Sequence, residues 1–249
     1  MTAVEFKHIN KQFKNSAYPA LDGVSVSIEE GEFVTILGSS GCGKTTMIKM
    51  INRLYEPDSG DIHLFGKNIR DENPVELRRK IGYVIQQVGL FPHMTVADNI
   101  ATIPKILKWD KLKIKEETDR MLRLVQLDPD EFRSRYPAQL SGGQQQRVGL
   151  ARALIANPRI MLLDEPFGAI DAINREILQN ELKSIHEKSK CTYLFVTHDI
   201  REALKLGTKV IIMNEGKILQ YATPDEIVEN PADDFVANLL KTADLKGGA

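Results

Sequence analysis

The chain has 249 residues, of which 42% are hydrophobic and 27% are charged, and its formal net charge is -1. These values are ordinary for a globular protein with one large domain, or with a core and a satellite subdomain. A nearly neutral chain offers no basic field for nucleic acid, and two cysteines give no disulfide framework. No stretch approaches the ~18 consecutive apolar residues that a membrane-spanning helix needs.

The first predicted elements are strands. Val24, Val26 and Ile28 alternate with serines, which is typical of a half-exposed strand. The run Phe33–Leu37 is mostly apolar without clean alternation, which indicates a strand buried on both faces, as in a parallel sheet. A glycine-rich loop and a helical pattern through Met47, Ile48 and Ile51 follow. The order strand, loop, helix therefore predicts the start of an α/β core.

The loop Gly38–Thr45 fits the pattern G-x-x-x-x-G-K-[ST] and lies between the buried strand and the helix. Glycines allow the backbone N–H groups to turn inward, and a helix N-terminus adds partial positive charge. Lys44 is expected to reach the β- and γ-phosphates of a nucleotide, and the Thr45 hydroxyl to bind Mg²⁺. The alternative is a glycine-rich turn with a solvated lysine, which the flanking strand and helix disfavour.

The middle of the chain, residues 89–157, shows only helical patterns and is interpreted as a helical subdomain inserted into the α/β core. Within it, Leu140–Gln144 precedes a helical pattern through Val148, Ala151 and Ile155. Ser141 can cap that helix, and the two following glycines leave its N-terminus open to a phosphate. By itself this segment could be a capped helix start and nothing more.

The last third returns to strands and helices. Ile160–Leu163 is a short buried strand that ends in Asp164 and Glu165. Side chains at the carboxyl ends of parallel strands face the ligand crevice, so Asp164 suits Mg²⁺ and Glu165 can accept a proton from water. The alternative is a pair of ordinary surface carboxylates. Two further strands are predicted at 193–196 and 210–213, and a helical tail begins at Pro224.

Taken together, these motifs resemble the ABC ATPase family, the ATP-binding subunits of ATP-driven transporters. The resemblance covers residues 2 to about 222 and also includes Gln86 after Tyr83–Ile85, Gly168–Asp171 and His198. It implies an α/β fold, a P-loop NTPase core with a parallel sheet, an N-terminal antiparallel β subdomain and an inserted α-helical subdomain. The expected division is a core of 1–88 and 158–222, a helical subdomain of 89–157 and a tail of 223–249.

The resemblance implies a dimer of two copies of the chain, with two ATP molecules between them. Catalysis is expected from Glu165, His198, Lys44 and Gln86, and Mg²⁺ binding from Thr45, Gln86 and Asp164. Phe13 is expected to stack on the adenine, with Tyr18 as a second candidate and simple packing of Phe13 as the alternative. The expected nucleotide contacts are Phe13, Ser39, Ser40, Gly41, Cys42, Gly43, Lys44, Thr45, Thr46, Gln86, Ser141, Gly142, Gly143, Gln144, Asp171 and His198, with Ser141–Gln144 provided by the opposite copy.

The implied partners are transmembrane permease subunits and, through them, an extracytoplasmic substrate-binding protein. The subunit would then be peripheral, on the cytoplasmic face of the cell membrane, and no nucleic-acid partner is expected. Gly89–Met94 either receives a short coupling helix of the permease or packs on its own subdomain. Some related subunits carry paired regulatory domains after the ATPase, and nothing of that size follows Leu240. Either this version lacks them or the chain was cut short, so regulation through such a domain is not predicted.

Two segments, Val88–Ile100 and His198–Leu204, look like those of bacterial importers of quaternary-ammonium osmolytes such as glycine betaine, carnitine and choline. The sequence therefore predicts an ATPase coupled to solute transport, with this substrate class. Within the family, importers of amino acids, polyamines or anions are also compatible with these motifs. A non-transport ABC ATPase, a small-molecule P-loop kinase and a catalytically inactive module are the competing functions.

Overall fold

The computed structural model describes residues 1–14, 16–85, 89–168, 170–189 and 191–242. Its strands are β1 (Thr2–Lys11), β2 (Leu21–Glu29), β3 (Phe33–Gly38), β4 (Ser59–Leu64), β5 (Lys67–Asn68), β6 (Ile81–Val84), β7 (Ile160–Asp164), β8 (Thr192–Val196), β9 (Lys209–Asn214) and β10 (Lys217–Ala222). Its α-helices are α1 (Lys44–Ile51), α2 (Pro74–Arg79), α3 (Val96–Ile100), α4 (Thr102–Ile106), α5 (Lys111–Leu124), α6 (Pro129–Phe132), α7 (Gly142–Leu154), α8 (Ala172–Ser189), α9 (Ile200–Leu206), α10 (Pro224–Glu229) and α11 (Asp234–Thr242).

The chain forms two compact units. The first unit consists of Met1–Arg78 and Lys190–Ala249, and the second unit of Arg79–Ser189. The first unit contains an antiparallel sheet with the strand order β2-β1-β4-β5. In β2, Val24, Val26 and Ile28 are buried and the intervening serines are exposed, as their alternation predicts. The predicted antiparallel β region at the N-terminus is therefore confirmed.

The first unit also holds four strands of a second sheet, in the order β10-β9-β3-β8. Strand β3 pairs in parallel with both β8 and β9, and all six of its residues are buried, which explains its mostly apolar sequence. The register aligns Ile36 with Val196 and Gly38 with Met213. The carboxyl ends of β3, β8 and β9 therefore lie at one edge, where the phosphate loop and the His198 segment begin.

The C-terminal helices complete the core of the first unit. Ile227 of α10 and Val236 and Leu240 of α11 are fully buried. They pack in one cluster with Leu37, Ile200, Ala203, Val210 and Ile212, which come from β3, α9 and β9. The predicted helical tail is present and, through this cluster, is part of the core.

The second unit is built from a parallel pair of strands and most of the helices. Strand β6 pairs with β7 from Ile81 opposite Ile160 to Val84 opposite Leu163. Helix α7 packs against β6, α3 and α5. From Val96 to Leu154 the regular elements are helices, as predicted for this part of the chain. None of the helices in the described residues is both long and apolar enough to span a membrane.

Candidate active site

Two glycines of the loop between β3 and α1 lie too close to other backbone atoms to be replaced by a residue with a side chain. Gly43 precedes α1 with φ +107°, and a Cβ atom there would lie 2.2 Å from the carbonyl oxygen of Ala20. A Cβ on Gly38 would lie 2.2 Å from the carbonyl oxygen of Met213. No side chain caps the start of α1, so the N-terminal amides of this helix are left for a ligand. The uncapped helix start after this loop is the arrangement that the sequence analysis expects to hold a phosphate, and phosphate binding stays a prediction.

Lys44 is buried at the start of α1, with only 6% of its surface exposed. Its Nζ donates hydrogen bonds to the carbonyl oxygens of Gly38 (2.8 Å) and Ser39 (2.9 Å), and it lies 3.9 Å from Cys42 Sγ. No carboxylate of the described residues forms an ion pair with this ammonium group. A buried positive charge held by uncharged groups is well suited to an incoming anion, because a phosphate would supply the missing counter-charge.

Phe13 follows β1 and is half-buried. Its ring makes an edge-on contact with Tyr55, with ring centroids 5.1 Å apart, and Lys11 Nζ lies 5.6 Å from its centroid. The contact with Tyr55 is what the packing alternative predicts, so stacking of Phe13 on adenine stays a prediction. Tyr18, the second candidate, is 79% exposed.

His198 is exposed and lies two residues beyond Val196 of β8. Because Val196 is paired with Ile36, His198 lies level with Gly38 at the carboxyl edge of the sheet. The backbone N–H of Thr197 donates to the carbonyl oxygen of Ile36 at 3.1 Å. The parallel pairing of β3 and β8 therefore brings the phosphate loop and His198 to the same edge.

In the second unit, β7 ends in Asp164 and Glu165. Asp164 is buried, with 5% of its surface exposed. Glu165 is half-buried and has φ +46°, a left-handed conformation that costs a residue with a side chain about 1–2 kcal/mol. Its carbonyl oxygen accepts a hydrogen bond from the N–H of Gly168 at 3.2 Å. The turn after β7 therefore holds the Glu165 backbone in an unfavourable conformation, as is common at functional sites.

Ser141 caps helix α7, as predicted. Its Oγ accepts a hydrogen bond from the N–H of Gln144 (3.2 Å), and Gln144 Oε1 accepts one from the N–H of Ser141 (2.9 Å). Ser141 and Gly142 are exposed, and a Cβ on Gly143 would meet nothing within 4 Å. This helix N-terminus is therefore open to a ligand from outside.

Asp171 caps the start of α8. Its carboxylate accepts hydrogen bonds from the N–H of Asn174 (3.1 Å) and from Asn174 Nδ2 (2.7 Å). The pKa of Asp171 is lowered from its ordinary value, mainly because the Asn174 side chain donates a hydrogen bond to the carboxylate. Asn174 Oδ1 in turn lies 3.5 Å from Arg147 Nη2 of α7. These contacts connect Asp171 to the helix that starts at Ser141.

The structure thus distributes the predicted residues over both units. The first unit holds Phe13, the loop residues Ser39, Ser40, Gly41, Cys42, Gly43, Lys44, Thr45 and Thr46, and His198, and the second unit holds Ser141, Gly142, Gly143, Gln144, Asp164, Glu165 and Asp171. Gln86, predicted to act on Mg²⁺ and catalysis, lies outside the described residues.

One residue that the sequence analysis missed is Asn99, which is fully buried. Its Nδ2 donates to the carbonyl oxygens of Phe91 (3.1 Å), Met94 (3.2 Å) and Thr95 (3.0 Å), and its Oδ1 accepts from the N–H of Phe91 (2.8 Å). A buried asparagine that bonds to main-chain atoms fixes the shape of a loop. The sequence feature that could have indicated Asn99 is a polar residue next to Ile100 and three residues after Val96, at helical spacing with buried apolar positions.

The loop held by Asn99 also contacts α7. Arg152 Nη1 donates to the carbonyl oxygen of Gly89 at 2.9 Å, and its guanidinium lies 5.8 Å from the centre of the Phe91 ring. Burial lowers the pKa of Arg152 from its ordinary value. Phe91 is nevertheless 40% exposed, and Pro92 and His93 are exposed too. The loop is therefore packed on its own subdomain while three side chains remain available to a partner.

We expect Asn99→Ala to lower the free energy of unfolding by about 2–3 kcal/mol, because several buried backbone groups lose their partner at once. Asn238→Ala, at an exposed site on α11, is the control and should change stability by less than about 0.5 kcal/mol. Urea denaturation of both variants measures the difference. Equal stability of the two variants would show that Asn99 does not hold the loop.

A cavity of about 520 Å³ opens between α3, α4 and α5. Its lining combines apolar side chains, Ala97, Ala101, Trp109 and Ile114, with the charged side chains of Asp98, Lys105, Lys111, Lys115, Asp119 and Arg133. Two buried polar atoms in its lining residues, Thr118 Oγ1 and Arg133 Nε, have no hydrogen-bond partner. A cavity that offers both apolar and polar groups can serve as a binding surface.

Comparisons with known proteins agree with the motifs. Residues 21–168 match the family model described as ABC transporter. The choline transport ATP-binding protein OpuBA of Bacillus subtilis is 51% identical over 94% of this chain and 61% of its own length. The glycine betaine uptake system ATP-binding protein YehX of Escherichia coli is 46% identical over 97% of this chain and 78% of its own length. The chain thus spans about three fifths of the first of these relatives.

A solved structure is also similar. It is the dimeric post-hydrolysis state of the ATP-binding cassette MJ0796 bound to ADP and Pi. It has a TM-score of 0.80 and 36% sequence identity, over 89% of this chain and 98% of that chain. The α/β architecture is therefore that of a known type of ATP-binding cassette.

Proposed function

Because the chain belongs to the ABC transporter family, we propose that it binds and hydrolyses ATP as a dimer of two copies and so powers import of a quaternary-ammonium osmolyte. The observation that carries the ATPase part is the phosphate cradle. Gly38 and Gly43 leave no room for a side chain, and the buried Lys44 bonds to two carbonyl oxygens at 2.8 and 2.9 Å. An anion with several negative oxygens, such as a triphosphate, satisfies both features.

The residues present also fit Mg²⁺, which prefers oxygen ligands. Thr45 offers a hydroxyl at the start of α1, and Asp164 offers a carboxylate at the end of β7. Bound Mg²⁺ supplies charge neutralisation for the phosphates. Together with Gln86, which lies outside the described residues, these are the side chains that would hold it.

The chemistry assigned to the chain is positioning and proton transfer. Lys44 and the loop amides hold the phosphates and stabilise the charge that develops on them. Glu165 orients the attacking water and accepts its proton, while the water oxygen bonds to the γ-phosphorus and the bond from that phosphorus to the β–γ bridging oxygen breaks, so that ADP leaves. His198 orients the water and the γ-phosphate from the carboxyl edge of β8. Hydrolysis then yields ADP and phosphate.

A second copy of the chain would complete each site. The capped N-terminus of α7 presents Ser141, Gly142 and open space beside Gly143, and it is a second anion-binding helix start in the same chain. The similarity to a dimeric cassette bound to ADP and Pi supports the proposal that this helix start contacts the nucleotide of the opposite copy. Asp171, linked through Asn174 to Arg147 of α7, would then report contact between the copies.

The permease partner would contact the second unit. The exposed side chains of Phe91, Pro92 and His93 and the cavity between α3, α4 and α5 are its candidate contact surfaces. Both are partly apolar, and the lining of the cavity also carries the charged side chains of Lys105, Lys111 and Lys115. A short amphipathic helix of the permease fits this chemistry. A substrate-binding protein would act on the outer side, and the subunit on the cytoplasmic face of the membrane.

The substrate class is tested in the complete transporter. We expect the chain to co-purify with a transmembrane permease, and the ATPase activity of the reconstituted complex to rise several-fold with glycine betaine, carnitine or choline. A polyamine, an amino acid and sulfate serve as comparison solutes. Stimulation by one of these instead would change the substrate class, and a soluble partner alone would contradict the importer proposal. ATPase activity without any permease would leave the enzymatic part intact.

A further inference from the structure

Glu202 is a buried acidic residue that no assigned role explains. It lies in the first turn of α9, and only 8% of its surface is exposed. Its Oε2 accepts a short hydrogen bond from the hydroxyl of Thr197. Burying a carboxylate is costly, so one that persists in the core is expected to have a specific function or strong partners.

The Thr197 hydroxyl also accepts a hydrogen bond, from the N–H of Asp199 at 3.0 Å. Asp199 is the N-cap of α9 and accepts from the N–H groups of Arg201 (2.8 Å) and Glu202 (3.2 Å). The Thr197 hydroxyl thus connects Thr197 to Asp199, and His198 is the one residue between them in the chain. With the Thr197 N–H bonded to Ile36, the backbone on both sides of His198 is fixed.

This arrangement differs from the reciprocal caps of two other helices. In α7 and α10 the third helical residue reaches back directly to the N–H of the capping residue, as Gln144 does to Ser141 and Glu226 to Thr223. In α9 the residue at the corresponding position is Glu202, and it reaches the cap through the Thr197 hydroxyl. A cap that served helix stability alone would not need this indirect connection through the Thr197 hydroxyl. The bonds from Glu202 to the Thr197 hydroxyl and from the Asp199 N–H to that hydroxyl involve the residues on both sides of His198.

We propose that Glu202 is a positioning residue: by holding the Thr197 hydroxyl, it fixes the place of the His198 side chain over the phosphate site. This inference rests on the proposed ATPase function, since it concerns the geometry of the same reaction. It adds a buried residue that acts on the reaction through the main chain around His198. A displacement of about 1 Å in a catalytic group can lower a rate by about 100-fold. Loss of the hydrogen bond between Glu202 and Thr197 should therefore lower the rate of ATP hydrolysis measurably.

The first test compares Glu202→Ala with the wild-type chain. We expect kcat for ATP hydrolysis to fall about tenfold or more, with the Kd for ATP within about twofold, because the phosphate loop is untouched. Thr197→Val should behave like Glu202→Ala. Glu202→Gln and Thr197→Ser keep an acceptor and a hydroxyl respectively, and should retain most of kcat.

Thr35→Val is the matched control. The Thr35 hydroxyl donates to the carbonyl oxygen of Ala203 at 3.1 Å. Ala203 is also in α9, but it lies four residues beyond Asp199. This variant should lower Tm about as much as Glu202→Ala while leaving kcat near that of the wild type. If kcat falls in parallel with Tm in both variants, Glu202 acts through stability alone and the proposal is overturned.

A second readout does not depend on turnover. The chain has five histidines, so the His198 ring can be followed by NMR with labelled histidine and assigned with His198→Ala. Glu202→Ala should shift and broaden the His198 signals, and Thr35→Val should leave them in place. Unchanged His198 signals in Glu202→Ala would refute the positioning role. A wild-type chain that binds no ATP would instead refute the proposed function, whatever the spectra show.

Discussion

Glu165→Gln is expected to reduce ATP hydrolysis by at least about 100-fold while the Kd for ATP changes by less than about threefold. The amide has nearly the shape of the carboxylate and keeps the turn after β7, but it cannot accept a proton from water. The φ angle of Glu165 is +46°, and glutamine meets about the same backbone cost there as glutamate, so this cost drops out of the comparison. The variant should also remain a dimer when ATP is bound, because hydrolysis no longer separates the copies.

The matched control is Glu187→Gln, which makes the same change on the exposed face of α8 in the same unit. Its turnover should equal that of the wild type. Steady-state phosphate release measures the rate, and size-exclusion chromatography with and without ATP measures the dimer. If Glu165→Gln releases phosphate at the wild-type rate, Glu165 is not the general base.

Ser141→Arg in one copy of the dimer is expected to disable one nucleotide site and leave the other active. The substitution removes the cap of α7, which costs about 1 kcal/mol, and it places a long cation at the helix start that is proposed to face the partner's nucleotide. Mixed dimers carrying two different affinity tags allow one altered copy per dimer. Their turnover should lie near half of the wild-type value or below it if the sites are coupled.

Pairing Ser141→Arg with Lys44→Ala decides which residues share a site. If Ser141 serves the partner's nucleotide, the two substitutions on opposite copies damage the same site and leave one intact. The same two substitutions on one copy then damage both sites and abolish turnover. The opposite pattern would show that Lys44 and Ser141 of one copy share a nucleotide.

Thr223→Arg controls for the lost cap. Thr223 and Glu226 form the same reciprocal pair at the start of α10 that Ser141 and Gln144 form at α7. A cap loss in itself should lower stability equally at both helices. A fall in turnover with Thr223→Arg would mean that the Ser141→Arg result reflects stability and not the site.

The elements that could be predicted from the sequence are those with a clear local pattern. Alternation in β2, the continuous apolar run of β3 and the Ser141 cap depend on residues close together in the chain. The phosphate loop is equally local, because its glycines, Lys44 and helix start are contiguous. The family resemblance added the architecture, which matches the antiparallel sheet and the parallel strands of the structure.

Other features depend on contacts between distant residues and left no local pattern. The stripe Ile227, Val236 and Leu240 predicts helices with an apolar face, but it does not say that they pack on Leu37 and Ile212. The left-handed conformation of Glu165 arises from the turn that follows β7, in a residue type that rarely adopts it. The hydroxyl of Thr197 could have bonded to many groups, and its link to Glu202 became visible only once α9 was in place.

Asn99 has a consequence for how the loop Phe91–Thr95 can diversify among transporters. All four of its bonds in this loop go to main-chain atoms, so these bonds do not depend on which side chains occupy positions 91 to 93. Substitutions of these exposed side chains would therefore leave the hold of Asn99 on the loop in place. The surface that the loop offers to a partner could change one residue at a time while its main-chain bonds to Asn99 persist.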